Sequence, residues 1–279
     1  MEKCLRSLED QKTSGEFEVI VVDSSTDGTD EIVAKQFPGV RLFAFSERKF
    51  PGDARNFGIS QAAGDIIAFT DADCFVGDGW IDAIIEAHHE YQQPVIGGAV
   101  DNGNPDSYIG WAYYLCEFSQ WIPQASPAPM SDIPTTCLTV KRWAFDKYGP
   151  FLEKTYCSDT VFNWRVGRNG HTLLFMPSIT VSHINVTELR DFLRRKVFHG
   201  RCFARVRQIE QEFSPHKRRA YVLLSLFLPF LLFIRRALHV VRKRKYVKEF
   251  IVSAPLIFAG LAAWSWGELL GYLFGAERT

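Results

Sequence analysis

Two carboxylates one residue apart, Asp71 and Asp73, close the run Ile66-Ile67-Ala68-Phe69-Thr70-Asp71-Ala72-Asp73. The run is apolar and β-prone, bounded by Gly64-Asp65 and by Gly77-Asp78-Gly79. It reads as a buried central strand, expected to be parallel, with the carboxylates at its C-terminal end. Open α/β sheets bind ligands outside those ends. Side chains alternate along an extended chain, so Asp71 and Asp73 point the same way. Two hard oxygen donors placed so suit Mg²⁺ or Mn²⁺, above all when a ligand's phosphates complete the shell. An isolated D-x-D is also a common solvated turn, and the flanking sequence has to decide between the two.

The elements that would position these carboxylates alternate. Met1 to Lys12 carries Cys4, Leu5 and Leu8 on one helical face. Phe17 to Asp23 is a β-branched run ending in a carboxylate, followed by the turn formers Ser24 to Asp30. A helix to about Phe37, a strand at Val40–Ala44 and a helix from Pro51 to Ala63 come next, with Pro51 suited to a first-turn position. After the Asp71 strand the pattern predicts a helix over Asp78–Tyr91 and a strand over Pro94–Val100. This alternation implies an α/β fold, a mostly parallel sheet with helices on both faces. Asp101 to Met130 is aromatic-rich and then Pro-rich, read as a helix and a loop whose aromatics belong to the core. A strand at Ile133–Val140, helices at Lys141–Lys147 and Cys157–Arg168, and strands at His171–Met176 and Ile179–His183 complete this part.

The chain has 279 residues, 47% hydrophobic and 23% charged, with Lys+Arg equal to Asp+Glu. That is globular composition with no net charge to point at a partner, and nucleic acid is not expected among its partners. Six cysteines without a C-x-x-C pair suggest reduced thiols in a cytosolic compartment. Met1-Glu2-Lys3-Cys4 opens an amphipathic helix and not the apolar core of a leader.

From Thr187 the character changes. Leu189 to Gln208 is a basic helix. Ala220 to Ile234 and Phe250 to Phe274 are apolar, and Arg235-Arg236 and Arg242-Lys243-Arg244-Lys245 lie between them. The second stretch is long enough to cross a bilayer, for which about 20 apolar residues are needed, and the first is short for that. Basic residues on the far side of a spanning hairpin would run against the positive-inside tendency. A hairpin lying in or dipping into the membrane interface is therefore expected, ahead of two full spans or a soluble helical pair packed on the domain. The expected domains are 1–186, catalytic; 187–219, a basic helical connector; and 220–279, a hydrophobic hairpin at the membrane.

The segments Cys4-Leu5-x-Ser7-Leu8-x-x-Gln11, Glu18-Val19-Ile20-Val21-Val22-Asp23-Ser24-Ser25-Thr26-Asp27-Gly28-Thr29 and Ala54-Arg55-Asn56-x-Gly58-Ile59, with the Asp71-Ala72-Asp73 strand, resemble the family 2 glycosyltransferases in order and spacing. Weaker likeness continues to about residue 184. The resemblance implies the GT-A fold, a nucleotide-sugar donor, Mg²⁺ or Mn²⁺, and inversion at the anomeric carbon. It assigns Asp23 to the nucleotide base, Arg55 to the base or diphosphate, Asp71 to the ribose and metal region, and Asp73 and His183 to the metal. Family members carry Glu-Asp near a helix start after a Gly-Gly-Phe-like turn. Here Gly149-Pro150-Phe151-Leu152-Glu153 supplies the turn and Ser158-Asp159 the acid, which makes Asp159 the general base. The residues alone allow plainer roles: helix caps for Asp23 and Asp159, a surface cation for Arg55, a structural strand-end histidine for His183.

Three departures accompany the likeness. The family's first strand, normally ahead of the Cys4 helix, is absent, so a sheet lacking a central strand is expected. Cys137 stands where many members have Asn, which would alter the donor or acceptor pocket. The Gln-x-x-Arg-Trp motif of processive synthases is missing, which favours transfer of single sugars. Arg195 to Arg201 looks like the basic post-catalytic helix of membrane-associated members acting on lipid-linked acceptors, where cations attract anionic headgroups or a pyrophosphate. The expected protein is a membrane-associated enzyme, its catalytic domain cytoplasmic, glycosylating a lipid-linked saccharide or polysaccharide. The alternatives are a catalytically impaired membrane-bound scaffold and a nucleotidyltransferase, the latter disfavoured by the lack of a Gly-rich phosphate loop.

Overall fold

A computed structural model describes residues 1–124 and 126–275. Ala125, in the loop expected within 101–130, and residues 276–279, at the end of the expected hairpin, lie outside the described residues. The elements in order are α1 (Glu2–Glu9), β1 (Ile20–Asp23), α2 (Thr29–Gln36), β2 (Arg41–Ala44), α3 (Pro51–Gln61), β3 (Ile66–Thr70), β4 (Cys74–Val76), α4 (Trp80–Glu90), β5 (Val95–Asn102), α5 (Tyr108–Phe118), β6 (Ala128–Met130), β7 (Cys137–Lys141), α6 (Trp143–Tyr148), α7 (Ser158–Arg168), β8 (Leu173–His183), α8 (Leu189–Glu210), α9 (Pro215–Leu224), α10 (Leu228–Lys243) and α11 (Val247–Phe274).

The α/β class is as expected, but the strand directions are not mostly parallel. β1 and β2 form a parallel pair of their own, and the other strands form a six-stranded sheet ordered β3-β7-β5-β8-β4, with β6 on β8. β7 runs antiparallel to both β3 and β5, and β8 runs antiparallel to both β4 and β6. Strand–helix alternation up to residue 100 encouraged the parallel reading. The long excursion from residue 103 to 136 instead returns the chain to the sheet from its opposite end. β3 is correspondingly not a central strand. It ends the sheet order beside β7, and only Ile67 in it is buried.

Two further expectations change. β8 is one strand and not two. Pro177 falls between the stretch paired with β6 and the stretch paired with β4, where its missing N–H interrupts neither of those ladders. The short strand β4 was not expected at all.

The chain divides into two compact units, residues 1–101 with 123–183 and residues 102–122 with 184–279. In the first, a core of Ile67, Val95, Ile133, Leu138, Val140, Phe145, Phe151 and Phe162 fills the space between the sheet and helices α6 and α7. A smaller core of Leu5, Val21, Val33 and Phe37 holds α1 and α2 to β1. Cys137 sits within the interior, fully buried with its thiol toward the Ile179 carbonyl, so it lines no open pocket. All six cysteines are free thiols.

The second unit is helical. The aromatic-rich α5, read from sequence with the 1–186 region, clusters here with the later helices. Its apolar surface packs on α8 and α11, and the Cys116 thiol points to the Ile257 carbonyl. The expected two-helix hairpin is three helices, because the first apolar run breaks at residues 225–227 and bends by 69° between α9 and α10. Among the described residues only α11 is by itself long and apolar enough to cross a membrane; α9 and α10 qualify only as that bent pair. α8 and α11 approach to backbone contact: a Cβ at Gly267 would lie 2.1 Å from the Val197 carbonyl oxygen.

Lys196, 2% exposed, donates a hydrogen bond to Glu117 and rests over the Tyr113 ring. Burial alone would raise the Glu117 carboxyl, but the Lys196 ammonium and the nearby His199 outweigh it and hold Glu117 down to about 2. Glu117→Gln leaves a buried ammonium without its counter-charge, and a loss of roughly 3–5 kcal/mol is expected. Because the folded value lies below the ordinary 4.5, this contribution is present above pH 4.5 and fades as the pH falls toward 2. Denaturation of wild type and variant across that range should show the stability gap closing in acid.

Candidate active site

Asp71 follows β3 directly. The β3–β7 ladder pairs Thr70 with Cys137, so the next residues along, Asp71 and Thr136, come opposite each other. The Thr136 hydroxyl donates to Asp71 Oδ2 at 2.8 Å, and Arg55 Nη2 on α3 donates to Asp71 Oδ1 at 3.0 Å. Both carboxylate oxygens are thereby held, and Arg55 is a partner of Asp71, not an unattached surface cation.

One residue earlier, the Thr135 N–H and hydroxyl each donate to Asp159 Oδ2 at 3.2 Å. Asp159 lies in the first turn of α7. It is not the N-cap, a position taken by Cys157 at φ 61°. Consecutive threonines on the approach to β7 therefore tie Asp71 and Asp159 into one bonded group. Neither threonine was singled out from sequence. Both are almost fully buried, and only the ladder register reveals what they face.

The turn before α7 is fixed from α3. Asn56 Nδ2 donates to the Phe151 carbonyl at 2.9 Å, and the Phe151 N–H donates back to Asn56 Oδ1 at 2.9 Å. Gly52 admits the Leu152 carbonyl, which a Cβ would meet at 2.2 Å. The Ala54-Arg55-Asn56 segment thus serves both ends of the group: Arg55 holds Asp71, and Asn56 anchors the segment leading to Asp159.

Asp73 and His183 meet through β4. Its antiparallel ladder with β8 pairs Cys74 with His183, and His183 Nε2 lies 3.5 Å from Asp73 Oδ1. One ligand atom each from Asp73, Cys74 and His183 fall within 4.8 Å of one another. Burial, and then the Asp71 and Asp73 charges, push the Cys74 thiol up. A carboxylate oxygen and an imidazole nitrogen converging on one point are a donor set that fits Mg²⁺ or Mn²⁺ once other oxygens join. His183 is 7% exposed and Asp73 is open to solvent, so the pair has a buried and an accessible side.

Asp23 lies on β1, which packs against α3. It ends β1 in the two-stranded sheet, and its carboxylate accepts from the Ser25 N–H at 3.0 Å and the Ser25 hydroxyl at 3.1 Å, a local turn.

The Thr136 bond permits a direct test. Thr136→Val keeps the shape and removes the donor to Asp71. A hydrogen bond to a charged group contributes about 1.5–3 kcal/mol; if Asp71 serves the glycosyl transfer that the family resemblance implies, kcat/KM falls by roughly tenfold or more, as read by initial rates of nucleotide release.

The fold is the GT-A fold. The described chain superposes on the mannosyltransferase PcManGT from Pyrobaculum calidifontis, solved with GDP-Man and Mn²⁺, at a TM-score of 0.63 and 18% identity, covering 99% of this chain and 84% of that one. The model of glycosyl transferase family 2 matches residues 1–148, just over half of the sequence, and the chain belongs to that family. It is 26% identical over 192 residues to the pre-mycofactocin glycosyltransferase of Mycobacterium tuberculosis, covering 65% of this chain and 40% of that protein. It is 27% identical over 219 residues to the N-acetylglucosaminyl-diphospho-decaprenol L-rhamnosyltransferase of the same species, covering 66% and 71%. The chain therefore spans less than half the length of the first of these relatives.

Proposed function

We propose that this chain transfers a single sugar, with inversion, from a nucleotide-sugar donor to a lipid-linked saccharide or growing polysaccharide at a membrane surface. The observation that carries the reading is the bonded group Arg55–Asp71–Thr136–Thr135–Asp159 at one end of the sheet. It ties Asp159, a carboxylate able to take a proton, into one group with Asp71, a carboxylate suited to a sugar nucleotide.

In this reading Asp159 takes the proton of the acceptor hydroxyl as that oxygen bonds the anomeric carbon. The bond from that carbon to the diphosphate breaks in the same displacement, which inverts the centre. Thr135 holds Asp159 in place, and Arg55 and Thr136 hold Asp71 toward the ribose and diphosphate. Asp23 receives the nucleotide base. Asp73 and His183, with Asp71 near them, would hold Mg²⁺ or Mn²⁺. A bound ion there supplies the Lewis-acid charge that stabilises the departing diphosphate.

Residues 1–186 carry the chemistry, 187–219 a basic connector and 220–279 the membrane contact, with the catalytic part on the cytoplasmic side. The rhamnosyltransferase relative's name supports a polyprenyl-diphosphate acceptor, and the exposed apolar helices support a membrane location.

The test is nucleoside diphosphate release by the whole chain from GDP-mannose and UDP-N-acetylglucosamine, with Mn²⁺ or Mg²⁺ and a decaprenyl-diphosphate-linked N-acetylglucosamine. Acceptor-dependent release, with an inverted anomeric centre by NMR, is expected from a matched donor. Donor binding without acceptor-dependent release across a wider donor panel would replace this reading with the impaired-scaffold one.

A further inference from the structure

We infer that α10 lies flat in one leaflet of an anionic membrane, its apolar stripe down and its axis in the plane of the interface. The basis is an apolar stripe left on the outward face of the helix. Phe227, Phe230, Leu231, Ile234, Leu238 and Val241 recur at helical spacing, on a stripe about 100° wide, and are 45–70% exposed. The opposite side faces protein: Val240 is buried there, and Phe233 packs on the rings of Phe250 and Phe258. Lys243 donates to the carbonyls of Gln120 and Ile122, and the His239 ring lies 3.4 Å from the Ser119 hydroxyl. A helix built for water on its outward side presents polar groups there.

Three features select a bilayer in this orientation as the occupant. Arg235 and Arg242 each follow a stripe residue, Ile234 and Val241, so exposed cations border the apolar strip at two points along its length, Arg235 with one nitrogen also donating to Gln120 Oε1 at 3.2 Å. That suits anionic headgroups, with the side-chain stems reaching up from the acyl boundary. The stripe from Phe227 to Val241 is roughly 21 Å long at 1.5 Å per residue, short of the roughly 30 Å hydrocarbon core. A crossing helix would also bury Arg235 midway. Finally, the 69° bend turns α9 away from the axis of α10. Leu223, Leu224 and Leu226 stay exposed at the bend, and His216 to Arg219 stand at the far end of α9. The two basic groups thus flank one apolar patch, as in an element that enters and leaves by the same face.

This inference rests on the membrane association proposed above, and not on the assignment of any catalytic residue. It is tested on the whole chain with Cys157→Ser, since the other five cysteines are buried. Nitroxides are placed singly through Leu231→Cys, Leu238→Cys and Val241→Cys, and depth is read by oxygen against a water-soluble nickel complex. The vesicles are phosphatidylcholine alone or mixed with phosphatidylglycerol. Equal, shallow burial of all three labels is expected, with tighter binding to the mixed vesicles. The double variant Leu231→Glu, Leu238→Glu should bind at least tenfold more weakly with an unchanged circular dichroism spectrum.

Depth increasing steadily from one label to the next would mean a crossing helix and overturn the inference. So would labels left open to water on vesicle-bound protein, or labels shielded in a dimer away from vesicles. Failure of the unlabelled chain to float with either vesicle would sink the membrane proposal as well, whereas wet labels on floating protein would sink this inference alone.

Discussion

Asp159→Asn is expected to lower turnover by about 10²–10⁴, the usual range for loss of a general base, while donor binding stays within a few-fold of wild type. The substitution preserves shape, and its amide oxygen can still accept from the Thr135 N–H and hydroxyl that hold Asp159 now. What it removes is the capacity to take a proton. Binding and chemistry should therefore separate: steady-state nucleoside diphosphate release falls, while calorimetric titration with the donor is nearly unchanged. A purely structural role for Asp159, as the acceptor that holds Thr135 to α7, predicts something else. A weakened hydrogen bond there costs about 1 kcal/mol of stability and leaves kcat largely intact. A variant with wild-type kcat and a lowered melting temperature would remove Asp159 from the mechanism.

The separation matters because the same threonine segment touches both carboxylates. Thr136→Val is expected to act through Asp71 and Asp159→Asn through proton transfer, and their effects need not add. Residues bonded in one network are typically coupled by 0.5–3 kcal/mol. A double variant less impaired than the product of the singles would show that Thr135 and Thr136 transmit the position of one carboxylate to the other.

The individual carboxylates were legible in sequence, and their companions were not. Asp71 and Asp73 announce themselves because a short apolar run ends on them, and Asp159 because it follows a turn motif at the start of a helix. In both cases the signal is local. Thr135, Thr136 and the Asp73–His183 approach depend on which strand lies beside which, and on a register that no local pattern encodes. β4 is three residues long, below the length at which periodicity says anything, yet its ladder is what sets Cys74 opposite His183. The strand directions were misread for a related reason. Alternating strands and helices suggest parallel crossovers, but the return of the chain through α5 and β6 reverses β7. At the other end, hydropathy found the apolar run Ala220 to Ile234 but not its break, whose signal is Pro229 in the first turn of α10 and not a change in polarity.

Asp73→Asn is expected to weaken Mn²⁺ binding by at least tenfold and to reduce kcat/KM by roughly 10³, with chelation of the wild type giving a comparable loss. The magnitude follows from the several kcal/mol that a positioned cation contributes to stabilising a departing diphosphate, at about 1.4 kcal/mol per factor of ten. Asparagine keeps one oxygen donor but gives up the negative charge facing His183 Nε2 at 3.5 Å. His183→Ala should be milder, because the ligand phosphates and Asp73 remain. The order of the two effects separates a metal pair from a structural one. His183 is buried and Asp73 is exposed, so if their contact only stabilised the strand end, the histidine variant would melt earlier and the aspartate variant would behave as wild type. Mn²⁺ titration by calorimetry, run on both variants beside thermal denaturation, reads each quantity independently of turnover. Unchanged Mn²⁺ affinity in Asp73→Asn would place the ion elsewhere and leave Asp73 and His183 as the structural pair that closes β4 onto β8.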